Sequence, residues 1–88
     1  MSQRYTVYLR KNAKKTLLKI PRSIVLRIGR FIDDLQDNPL IGVRMNGKLS
    51  HLRKIKVANY RIIYQIIEFE LIIEIIEIES RGNVFYDR

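Results

Sequence analysis

Residues 52–67, LRKIKVANYRIIYQII, hold two β-branched runs separated only by Ala58 and Asn59. Runs of this kind read as strands, and a two-residue link between them predicts a β-hairpin. Asn59 is the link residue better suited to positive φ. The pairing sets Val57 opposite Tyr60, Lys56 opposite Arg61 and Lys54 opposite Ile63. Opposed residues share a face, as do residues two apart. Lys54, Lys56 and Arg61 are therefore expected on one side of the sheet. Ile55, Val57, Tyr60, Ile62 and Tyr64 fall on the other, which has the composition of a core face.

Working outward, LIIEIIEI (71–78) predicts a further strong strand and RMNGKL (44–49) a weak one. RYTVYL (4–9) alternates and predicts an opening strand. Asn12 offers an oxygen to cap a short helix from about Ala13 to Ile20, with Ala13, Leu17 and Ile20 on one face. Pro21 ends that helix and can begin the next. The second helix spans about 22–37, where Ile24, Ile28, Phe31, Ile32 and Leu35 form a stripe, and Asn38-Pro39 stops it. The order is β-α-α-β-β-β-β. The expected fold is α+β, a single domain over 1–88: an N-terminal strand and an antiparallel helical hairpin packed on one face of a mainly antiparallel sheet.

The chain has 88 residues, enough for one small core, and no cysteine, which excludes disulfides and cysteine-ligated zinc. Its opening residues lack the apolar core of a secretory signal. The apolar stretch 62–78 is broken by Glu68, Glu70, Glu74 and Glu77, so no membrane span or membrane partner is expected. The expected location is the cytoplasm. Seventeen Lys and Arg against nine Asp and Glu leave a net charge of +8. That balance favours a polyanionic partner: RNA, DNA or an acidic protein. Lys14, Lys15, Lys19 and Arg22 lie on the outer side of the helices and are candidates for docking a large polyanion.

Like charges set directly opposite each other destabilise a sheet by up to about 1 kcal/mol per pair. Three cations on one face are nonetheless suited to gripping a phosphate. The plainer reading is a solvated row of long side chains that turn away into water. Arg81 follows the last strand in ESRGNVFY, with Phe85 and Tyr86 behind it, and cations beside rings suit single-stranded RNA. Arg44, Lys48 and Arg53 flank the same strand. His51 has no partner at metal-ligand spacing, and the glycines are isolated, so no metal, cofactor or phosphate loop is expected. The remaining chemistry is attack of a ribose 2′-OH on its own phosphate. A lysine's ordinary pKa of about 10.4 makes it a poor base, and neighbouring cations are expected to lower that value.

The chain resembles the RelE/ParE toxin superfamily, on the RelE branch. The resemblance rests on AKKTLLKIP, DDLQDNP, GKLSHLRKIKVANYRIIYQI and IESRGNVFY, with YRIIY after a basic strand the most specific block. It implies a toxin of a type II toxin–antitoxin system that enters the ribosomal A site and cleaves messenger RNA without a metal, leaving a 2′,3′-cyclic phosphate. Lys54 and Lys56 match the paired strand lysines, Arg61 the phosphate-binding arginine and Arg81 the C-terminal catalytic arginine. Tyr86 is similar to the catalytic tyrosine, although Phe85 could fill that slot and otherwise joins Arg44, Lys48 and Arg53 in substrate binding. Asn46 stands where relatives carry an arginine before the loop glycine. The implied partners are an acidic cognate antitoxin, the ribosome and its messenger, with DNA reached only through the antitoxin complex. Two other readings stay open: a ParE-like DNA gyrase inhibitor, and a catalytically weak homologue that acts in a repressor complex.

Overall fold

The computed structural model of the protein describes residues 4–80. Its elements are β1 (Thr6–Leu9), α1 (Lys11–Leu17), α2 (Arg22–Asp37), β2 (Val43–Arg44), β3 (Arg53–Val57), β4 (Tyr60–Ile67) and β5 (Ile72–Ser80). The five strands form one sheet in the order β1-β5-β4-β3-β2. β2, β3, β4 and β5 pair antiparallel in succession, while β1 runs parallel to β5 and closes the other edge. Both helices lie over one face of this sheet, as the alternation of apolar residues requires.

The core is the layer between them. Ala13 and Ile20 reach it from the first helical segment, Ile28, Phe31 and Leu35 from α2, and Val57, Ile62, Tyr64, Ile73, Ile75 and Ile78 from the strands. The basic residues expected to face water, Lys14, Lys15, Lys19 and Arg22, are exposed.

Several boundaries differ from expectation for local reasons. β1 still bonds to β5 through the Arg10 amide, which donates to the Ile75 carbonyl (2.9 Å), and the Arg10 carbonyl already accepts from Lys14. The first helix therefore starts at Lys11, and Asn12 sits inside its first turn rather than capping it. It ends at Leu17, because Pro21 disfavours a helical Ile20. The expected strand over 44–49 shrinks to Val43–Arg44, since Gly47 takes φ +64° and opens a 3₁₀ turn over Gly47–Leu49. In the β3–β4 turn the positive φ belongs to Ala58 (+56°), its first residue, as in a type II′ hairpin.

One buried tyrosine ties the loop after α2 to the sheet. The Tyr64 hydroxyl donates to the Pro39 carbonyl and accepts from the Gly42 amide, both at 2.8 Å. Burial pushes this hydroxyl's pKa up, against the opposing pull of the Gly42 N–H and the Arg53 charge. Arg53 in turn donates to the Gly42 carbonyl at 2.6 Å. A Cβ at Gly42 would meet the Tyr64 hydroxyl at 2.7 Å and the Lys54 carbonyl at 2.9 Å, so the close approach demands glycine.

Candidate phosphate-binding face

The β3–β4 register is the expected one: Lys56 faces Arg61, Lys54 faces Ile63, and Val57 faces Tyr60. Lys54, Lys56 and Arg61 thus share the face turned away from the helices. Together with Val43 and Ile55 they line a pocket of about 330 Å³. Val43 enters because it pairs with Lys54, on a strand that the Tyr64–Gly42–Arg53 network holds in place. Ile63 lies on the same face and is nearly buried, flanked in the ladder by Lys54 and Glu77.

β5 adds a residue that sequence reasoning missed. Glu79 pairs directly with Arg61, and its Oε1 accepts from both Arg61 Nε (3.0 Å) and Nη2 (2.5 Å). Its position depends on a bulge. Tyr64 pairs with Ile75 but Ile63 pairs with Glu77, leaving Ile76 without a counterpart in β4. The extra residue shifts the alternation, so Glu74, Glu77 and Glu79 all fall on the open face while Ile73, Ile75 and Ile78 point into the core. The uneven glutamate spacing in IIEIIEIE was the available signal. Further along this face, Glu74 accepts from Gln65 (2.7 Å) and pairs with Arg10 (3.0 Å). Its carboxyl is held below the usual value, chiefly by the Arg10 and Gln65 hydrogen bonds.

The other sequence candidates are placed elsewhere. Arg44 pairs with Arg53 one position out of phase with Lys54, which sets both on the helix-side face. Arg53 is engaged there with the Gly42 carbonyl. Lys48 is exposed in the 3₁₀ turn before β3. Lys14, Lys15, Lys19 and Arg22 belong to the helical layer, across the sheet from the pocket. Arg81, Phe85 and Tyr86 lie outside the described residues. Among the described residues no carboxylate pairs with Lys54 or Lys56, and no cluster of His, Asp and Glu has the makings of a metal site.

An α+β sheet with this strand order and a helix pair on one face is the architecture of RelE-like toxins. Similar solved structures include the RelBE2 toxin–antitoxin complex from Mycobacterium tuberculosis, at 26% identity and a TM-score of 0.81, covering 89% of this chain and 99% of that one. The RelE–RelB complex from Pyrococcus horikoshii is similar at 27% identity and a TM-score of 0.74, covering 89% and 96%. The isolated Escherichia coli RelE toxin shares the fold at 20% identity and a TM-score of 0.76, covering 94% and 93%. Comparison with curated protein sequences gave no match. The family model described as the ParE toxin of type II toxin–antitoxin system, parDE, matches residues 7–85. The chain belongs to this family and is a type II toxin of the RelE/ParE fold. No helix among its described residues is long and apolar enough to cross a membrane.

Proposed function

We propose that this toxin is a ribosome-dependent endoribonuclease that cuts messenger RNA in the A site and so blocks translation. The observation that supports this reading is the pocket where Lys54, Lys56 and Arg61 converge on one open sheet face. In this reading a messenger phosphate lies against the three cations. Lys56 or Lys54 takes the proton of the adjacent 2′-OH, and the freed oxygen attacks phosphorus. The bond to the 5′-oxygen breaks, that oxygen leaves with a proton, and a 2′,3′-cyclic phosphate remains. Arg61, which does not readily give up its proton, stabilises the charge that builds on phosphorus. Arg81 and Tyr86 complete the proposed catalytic set, and the reaction calls on no metal or cofactor. The exposed Lys14, Lys15, Lys19 and Arg22 suit contact with ribosomal RNA.

An acidic antitoxin is the proposed silencing partner, supported by the basic charge of the chain and by the antitoxin-bound state of its relatives from Mycobacterium tuberculosis and Pyrococcus horikoshii. The proposed site of action is the cytoplasm, where messenger is translated. The test is messenger cleavage on programmed ribosomes by the wild type, Lys56→Ala, Arg61→Ala and Arg81→Ala. Cleavage that is lost in the variants supports the reading, and an intact messenger with wild-type toxin defeats it.

The ParE description of the matched family favours a second reading, inhibition of DNA gyrase. It predicts loss of supercoiling with no cut messenger. Inertness in both assays would leave a toxin homologue that acts within an antitoxin repressor complex.

A further inference from the structure

Among the described residues, Arg61 is the one pocket cation already held by a carboxylate. A single oxygen of Glu79 bridges Nε and Nη2, and its Oε2 receives no hydrogen bond from a described residue. That edge of a guanidinium is a two-pronged donor matched to two oxygens of one anion, as a phosphodiester presents them. The carboxylate therefore satisfies the edge less fully than a phosphate would. Both side chains are about one-third exposed, 36% for Arg61 and 32% for Glu79, so an incoming anion reaches the pair without disturbing the core.

A purely structural role explains less. Cross-strand ion pairs at such exposure hold strands together weakly. β4 and β5 are already joined by a ladder running from Tyr60 to Ile67. Lys54 and Lys56 attract the same anions that Glu79 repels.

Resting on the reading of this face as a phosphate site, we propose that Glu79 is an internal competitor for RNA. In the free toxin it occupies the Arg61 edge that a backbone phosphate takes on binding, and it thereby sets the affinity of the face. Its displacement leaves Arg61 on the phosphate and Glu79 in water.

The test uses the full chain and a short single-stranded RNA made uncleavable by 2′-O-methylation, with binding followed by fluorescence anisotropy. Glu79→Gln should bind roughly fivefold more tightly, with the slope of log K against log salt little changed, because Arg61 meets the same phosphate in both complexes. Glu70→Gln, an equal charge change in the exposed turn before β5, should shift binding less than about twofold. In an Arg61→Ala background Glu79→Gln should do no more than Glu70→Gln. The Arg61 Nε–H resonance of the folded wild type should move when the oligonucleotide is added.

The proposal is overturned if Glu79→Gln binds no tighter, if Glu70→Gln tightens binding equally, if the gain survives loss of Arg61, if the resonance stays put, or if no variant binds. A wild type that cuts no messenger but follows this binding pattern defeats the ribonuclease reading alone. One that cuts messenger with no effect of Glu79 on binding defeats this proposal alone.

Discussion

Arg61 and Ile62 are neighbours in the chain and belong to opposite worlds. Ile62 is fully buried beneath the helices, among Tyr64, Ile73 and Ile75. Arg61 stands on the open face with Lys54, Lys56 and Glu79. The helix-side face supplies the apolar burial that holds a small domain together, at about 25 cal/mol per Å². The open face gathers charges that stability alone does not ask for. A strand's alternation thus separates what keeps the protein folded from what the fold presents.

The sharpest way to break this comparison is to truncate the two neighbours. Ile62→Ala should lower unfolding free energy in urea by about 2–5 kcal/mol. Arg61→Ala should change it by no more than about 1 kcal/mol, since its ion pair is partly exposed. On the proposed mechanism it should instead slow messenger cleavage by about 10²–10³-fold. Equal stability losses at the two positions would dissolve the division between faces.

Gly42→Ala links the faces, because it strikes Tyr64 in the core and the Lys54 carbonyl beside the pocket. Overpacking there should destabilise by about 1–3 kcal/mol in urea titration. Ala58→Gly in the β3–β4 turn should raise stability by at most about 1 kcal/mol. It relieves a left-handed alanine at some entropic cost in the unfolded chain.

The smallest effect is expected from pH. The Glu74 carboxyl is depressed in the folded state by Arg10 and Gln65. Its contribution is then present above the ordinary value of 4.5 and lost as pH falls through the lower folded value. The stability gap between wild type and Glu74→Gln should therefore narrow as thermal melts are taken from pH 6 towards pH 3. A gap that widens in acid would contradict the assigned ion pair.

The faces were legible in the sequence wherever pairing was local. The Ala58-Asn59 link alone gave the side on which Lys54, Lys56 and Arg61 lie. Both helices were legible from their apolar stripes, although Asn12 failed as a cap because β1 keeps bonding through Arg10. What escaped was non-local. The parallel seat of β1 beside β5 brings together segments more than sixty residues apart, and no adjacent pattern announces it. Arg53 read as a substrate ligand, and the structure has it donating to the carbonyl of Gly42, a residue whose amide donates to a hydroxyl from the next strand. Glu79 could be aligned with Arg61 only by knowing where β5 bulges.

That bulge also says something about how the chain can change length. With Ile76 removed, β5 would read Ile73, Glu74, Ile75, Glu77, Ile78, Glu79, an unbroken alternation in the same pairings. Losing this one residue in mid-strand would leave every other side chain on its present side. In an unbulged strand a one-residue deletion inverts everything beyond it. β5 carries a spare position next to the end that bears Glu79, so its length and the placement of Glu79 are free to vary independently.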